Sequence, residues 1–277
     1  MSIISFWTED NKETGQTSTA IAVATQMAIQ HNKKVLLIST YANNKEIEAA
    51  YIKPQTQKTN ILAKLNLTKK VVGIESGVAG LMKIEGSNKL SPELIKDYTG
   101  IIFRERLEVL SGYDGVETTA IDEFYVSLIK KANMAYDIVI VDLKKGINKL
   151  AQDVLTISDV IVYGMTQKRH SVEEYMESRN KGYTSKMSNI VGYIGRYDKF
   201  SKYTQKNILR TIRTKDPLYP IVYNTLFSDA CDEGVVVDYF LRMQTVSEKD
   251  RNVSFLNNVK ELIQGILLKI DEVQMMK

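Results

Sequence analysis

Residues 3–18 read Ile3-Ile4-Ser5-Phe6-Trp7-Thr8-Glu9-Asp10-Asn11-Lys12-Glu13-Thr14-Gly15-Gln16-Thr17-Ser18, and an Ala-rich stretch with helical spacing continues to residue 31. The apolar opening suits a strand buried on both faces. A polar loop containing Gly15 then leads into a helix beginning near Thr17. Strand, loop and helix in this order are the frame of a phosphate-binding loop, whose backbone N–H groups point from a helix N-terminus into a concavity. Such a loop needs a glycine where the ligand approaches, a lysine against phosphate and a hydroxyl for magnesium. Gly15 meets the first need, and Thr17 and Ser18 meet the last. The same residues would also suit a plain strand-to-helix turn capped by Thr14 or Thr17.

Outward from this stretch, short runs rich in β-branched residues recur at 35–39, 107–110, 138–141, 160–163, 190–194 and 221–223. Segments with helical spacing lie between most of them, among them 121–135 and 203–213. The alternation predicts a three-layer α/β/α fold with a mostly parallel central sheet and right-handed crossovers. Residues 51–100 are less regular, with a helix expected around 74–83 and an N-cap followed by a helix-starting proline at Ser91-Pro92. This stretch is expected to be an elaborated crossover within one domain spanning 1–277.

Composition narrows the function. Lys and Arg total 37 against 33 Asp and Glu, a net charge of +4 that is too small to drive wrapping around DNA or a membrane surface. Cys231 is the single cysteine, which excludes an internal disulfide and a cysteine-rich zinc site and suits a reducing cytoplasm. His31 and His170 stand far apart and beside no carboxylate cluster, which argues against a histidine metal site or charge-relay triad. No run approaches a membrane span, and the N-terminus lacks the pattern of a signal peptide, so a cytoplasmic location is expected.

Residues 136–146, Tyr-Asp-Ile-Val-Ile-Val-Asp-Leu-Lys-Lys-Gly, end a strand in Asp142 and follow it with a short glycine-containing loop. Together with the first loop, with 155–163, with 190–198 and with Tyr219-Pro220-Ile221-Val222-Tyr223-Asn224, this resembles the ParA/MinD-like P-loop ATPases. The family loop, Lys-Gly-Gly-x-Gly-Lys-Thr, falls on residues 11–17. The resemblance implies ATP as cofactor, with magnesium held by Thr17 and Asp142. It places the nucleotide against Lys12, Gly15, Gln16, Thr17, Ser18, Asp142, Arg196 and Asn224. A cap at the end of its strand is the plainer role for Asp142.

The chemistry departs from the family. Asn11 and Gln16 replace the two lysines, Glu13 adds a carboxylate to the loop, Ser39 and Tyr41 replace the carboxylates after the second strand, and Gly195 replaces the base-reading asparagine. A one-residue gap would bring Lys12 toward the lysine position, so that assignment stays open. A neutral amide does not do the work of a cation bridging two phosphates. The loop is thus a degenerate Walker A, similar to that of the pilus-positioning subgroup called TadZ or CpaE. The expected function is spatial localisation or assembly of a cellular machine (pilus, secretion, conjugation or partition), with ATP bound and not efficiently hydrolysed. A working ATPase switch with an atypical loop is one alternative. A nucleotide-free protein-interaction or DNA-binding module is the other.

Two surfaces bear on partners. Lys202, Lys206, Arg210 and Arg213 recur at helical spacing, which suits either a solvated face or nonspecific contact with DNA phosphates. The C-terminal apolar residues from Phe255 to Ile270 form a helical stripe whose polar side carries no basic excess, so packing on the sheet is expected rather than a membrane anchor. The family implies protein partners and a homodimer.

Overall fold

The computed structural model describes residues 1–9, 13–53, 77–87, 89–180, 182–214 and 216–276. Asn11, Lys12 and residues 54–76 therefore lie outside the described residues. The strands are β1 (Ser2–Trp7), β2 (Val35–Ser39), β3 (Gly100–Phe103), β4 (Leu107–Leu110), β5 (Ile138–Asp142), β6 (Val160–Met165), β7 (Ile190–Tyr197) and β8 (Leu218–Val222). They form one sheet in the order β3-β4-β2-β5-β1-β6-β7-β8. Every neighbouring pair is parallel except β3 and β4.

The helices are α1 (Gln16–Gln30), α2 (Glu46–Ala49), α3 (Gly77–Glu85), α4 (Pro92–Ile95), α5 (Thr119–Ala132), α6 (Lys149–Ile157), α7 (Arg169–Asn180), α8 (Gln205–Ile212), α9 (Thr225–Asp232), α10 (Val236–Met243) and α11 (Val253–Met275). Side chains alternate across a strand, so each buried strand feeds two cores. Ile4 and Phe6 of β1 enter the layer formed with α1, α2, α9, α10 and α11, whereas Ile3 and Trp7 enter the layer formed with α3 to α8. The result is the three-layer α/β/α arrangement with a mostly parallel sheet.

Several boundaries differ from the sequence expectation. β8 begins at Leu218 and contains Pro220, which an edge strand tolerates because a ladder hydrogen bond need not be made there. β3 has no counterpart among the strands expected from the sequence, because four residues with alternating exposure carry too little pattern to read. Within the irregular crossover, the helix expected at 74–83 is α3 at Gly77–Glu85, and Ser91 Oγ accepts from Leu94 N at 3.4 Å to start α4. The helix expected at 203–213 is the shorter α8, because Thr204 caps it and Arg213 turns left-handed at its end. In α11 the apolar stripe, including Val259, Leu262, Ile263 and Ile266, is buried against the sheet and α1. Among the described residues no helix is long and apolar enough to cross a membrane.

Candidate functional site

β1 and β5 are parallel neighbours, so their C-terminal ends bring the loop before α1 against the loop after Asp142. Chain connections diverge to either side of β1, and the crevice beyond such strand ends is where open α/β sheets place ligands. Trp7 Nε1 donates to the Gly146 carbonyl at 3.1 Å and fastens the two loops together. Gly15 stands at the N-cap of α1 with φ 67° and ψ 29°, a left-handed conformation that glycine adopts without cost. No side chain caps this end, so neither Thr14 nor Thr17 plays the capping role that the sequence left open. Gln16, Thr17 and Ser18 open α1 at the crevice, and the first N–H groups of a helix have no intrahelical acceptor and carry the positive end of its dipole.

Beneath the loop lies Asp142, wholly buried. Its Oδ1 accepts from Gln16 Nε2 and its Oδ2 from Thr17 Oγ1, each at 2.8 Å. Gln16 Nε2 also donates to the Leu143 carbonyl at 2.8 Å. Burial lifts the Asp142 carboxyl to about 6, against the hydrogen bonds from Gln16 and Thr17, which favour the charged form. Asp142 therefore joins the loop to the sheet and is not a helix or turn cap.

Above the loop opens a cavity of about 420 Å³, a size that holds a small organic ligand. Gly15, Gln16, Thr17, Ser18, Arg196 and Asn224 all line it. Their states differ. Ser18 is exposed, whereas Gln16 is 1% exposed with its Oε1 lacking any hydrogen-bond partner. Asn224 caps α9 by accepting from Phe227 N at 2.8 Å and donates to Asn252 Oδ1 at 2.8 Å, so both ends of its amide are engaged within the protein. At Gly195, which replaces the base-reading asparagine, a Cβ would stand 1.8 Å from the Thr14 carbonyl oxygen, so the strand end packs directly on the loop. Lys202, Lys206, Arg210 and Arg213 are exposed and do not line the cavity.

The sequence missed two features of the wall. Arg196 is ion-paired with Glu13, a contact spanning most of the chain with no local signal in the sequence. Lys145, from the loop after β5, also lines the cavity, and its backbone N–H donates to the Tyr41 hydroxyl at 3.2 Å.

A magnesium-bound nucleoside triphosphate fits this wall in part. Gly15 and the α1 amides suit phosphate oxygens, and Thr17 Oγ1 beside Asp142 Oδ2 offers two hard oxygen donors. The charge fits poorly, because Glu13, Glu46 and Asp232 line the cavity against Lys145 and Arg196, and Gln16 is neutral. Among the described residues no group of three or more His, Cys, Asp or Glu forms a separate metal site.

No protein-family model matches the chain, and no curated protein matches it. Solved structures do. A ParA family ATPase from Chlorobium tepidum TLS superposes with a TM-score of 0.66 at 16% identity, covering 97% of this chain and 98% of that one. The septum site-determining protein MinD from Pyrococcus horikoshii OT3, complexed with Mg-ADP, gives 0.63 at 16% identity with coverage of 97% and 98%. A putative plasmid partition protein from Borrelia burgdorferi B31, bound to AMPPNP, gives 0.62 at 17% identity with coverage of 95% and 98%. This chain has the fold of the ParA and MinD ATPases.

Proposed function

We propose that this chain is a degenerate ParA/MinD-like localisation or assembly factor that binds a magnesium nucleotide in the cavity above Gly15 without turning it over efficiently. One observation carries the reading. The framework of Gly15, Thr17 and Asp142 is present, while Gln16, at the position of the bridging lysine, gives its only donor group to Asp142 and Leu143. Backbone amides and the Thr17–Asp142 pair support binding, and the missing cation argues against stabilising a transferring phosphoryl group.

The role as a positioning factor draws on the names of the similar structures, which include the septum and partition proteins, a MinC:MinD cell division complex and McdA. Pilus positioning, as in the TadZ or CpaE subgroup, is the finer version, supported by the atypical loop. Protein partners, a homodimer, a cytoplasmic location and a single 1–277 domain belong to the same proposal. Calorimetry with ADP and AMPPNP plus magnesium, followed by a phosphate-release assay, tests it. Saturable binding with background turnover is expected. Absence of binding, or turnover at the rate of enzymatic relatives, would overturn it.

A further inference from the structure

At its C-terminal end β7 carries one residue more than β8. Ile194 pairs with Pro220 and Tyr197 with Val222, so three steps along β7 face two along β8. A bulge of this kind bends a strand and re-aims the side chain on it. Here that side chain is Arg196, whose φ of 49° puts a long side chain in the left-handed region. Such a conformation persists only where the surroundings impose it. The neighbouring Gly195 packs so closely on the loop that a Cβ there would stand 1.8 Å from the Thr14 carbonyl oxygen. The guanidinium is thereby set into the cavity wall, paired with the Glu13 carboxylate on the loop.

We infer that Arg196 is the phosphate-binding cation of this site and that Glu13 is an internal stand-in for phosphate, which a nucleoside di- or triphosphate must displace to bind. The inference rests on the nucleotide reading above. A guanidinium fork matches carboxylate and phosphate oxygens alike, so one can replace the other. The pair is displaceable, because its side chains are 53% and 78% exposed and solvent screens such contacts. The need for a cation is local: Gln16 is neutral, its donor is engaged, and its Oε1 stays buried in the same wall without a partner. Thr14 and Gly15 join Glu13 and Arg196 in one continuous wall, which places the guanidinium beside the amides that would meet the same phosphate.

Calorimetric titration of the full chain with magnesium-ADP and magnesium-AMPPNP tests this. Glu13→Gln should bind about tenfold tighter or more, and Arg196→Gln about tenfold weaker or more, the change expected when one charge-assisted hydrogen bond to phosphate is made available or removed. In the double variant the gain from Glu13→Gln should shrink to the part that comes from removing a carboxylate from the wall, since the rest runs through Arg196. Arg196→Gly suits the left-handed backbone, so it should lose affinity while keeping the melting temperature. Binding in Glu13→Gln but not in the unmodified chain would support the stand-in while overturning the reading that the unmodified chain holds nucleotide. Arg196→Gln or Arg196→Gly binding as well as the unmodified chain would overturn the inference and leave the nucleotide reading intact, as would a Glu13→Gln gain that is undiminished without Arg196. No binding in either the unmodified chain or Glu13→Gln would overturn both.

Discussion

Asp142 ends the central strand with no exposed surface and accepts hydrogen bonds from Gln16 and Thr17. Burial raises its carboxyl from the ordinary 3.8 to about 6. A group raised in this way adds stability while protonated. That contribution is complete below about pH 4 and is lost as the pH climbs through about 6, a shift equivalent to about 2–3 kcal/mol. Asn at this position can accept from Gln16 and donate to Thr17 Oγ1, leaving the packing satisfied. Asp142→Asn should therefore stabilise the protein by about 1–3 kcal/mol near pH 8, with the gain shrinking on acidification through pH 6. Denaturant melts across that range check it, and a gain flat with pH would show that Asp142 does not titrate there. The residues legible in sequence were those defined by local order. Gly15, Thr17 and Asp142 each follow a strand or open a helix, whereas the Glu13–Arg196 pair depends on a bulge and on packing between loops far apart in the chain.

The α8 segment shows what periodicity conveys and where it stops. Ile208 is buried while Lys206 and Arg210 stand exposed one turn apart, as the spacing predicted. Lys202 precedes the Thr204 cap with its Nζ 5.3 Å from the Tyr203 ring centre, and Arg213 ends the helix in a left-handed turn. The four cations thus spread beyond one helix face, because capping chemistry, which a charge pattern does not encode, sets the ends of the element. Strands buried on both faces were legible from their unbroken apolar runs, whereas β3, exposed on alternate residues at the sheet edge, was not. If the cations contact DNA phosphates, changing Lys202, Lys206, Arg210 and Arg213 together to Glu should abolish low-salt DNA binding. The unmodified chain should lose affinity with salt at a log–log slope approaching roughly −3 to −4, as for about four phosphates. Fluorescence anisotropy at several salt concentrations measures both, and a complex that persists in the variant or ignores salt would exclude this surface.

At the scale of the whole molecule, the sheet order places three chemical requirements for hydrolysis at adjacent strand ends, and the chain meets them unequally. Phosphoryl transfer needs fixed cations around the moving group, a magnesium ligand and a group that positions water. β1 leads to Gly15 and Gln16, which supply backbone amides and a neutral amide side chain; β5 supplies Asp142; and β2 ends in Ser39, buried and paired in register with Asp142. No carboxylate stands at Ser39 or Tyr41 to position water as in the family pattern. Turnover by the unmodified protein should therefore be at background in a phosphate-release assay. Gln16→Lys would exchange the Nε2 contacts to the Asp142 carboxylate and the Leu143 carbonyl for a longer side chain that can carry its ammonium past them to the cavity, where bound phosphate outcompetes Asp142 for it. Nucleotide affinity should rise by a contact worth roughly 1.5–3 kcal/mol, with hydrolysis unchanged because the water-positioning group is still missing. Adding Ser39→Asp, Asn11→Lys and Glu13→Gly completes the smallest set expected to raise turnover above background, and Glu13→Gly would also release Arg196. Phosphate release by the unmodified chain at the rate of enzymatic relatives, and abolished by Thr17→Ala, would show that a cation already on the cavity wall, Arg196 or Lys145, has taken over the role of the lysine in catalysis as well as in binding.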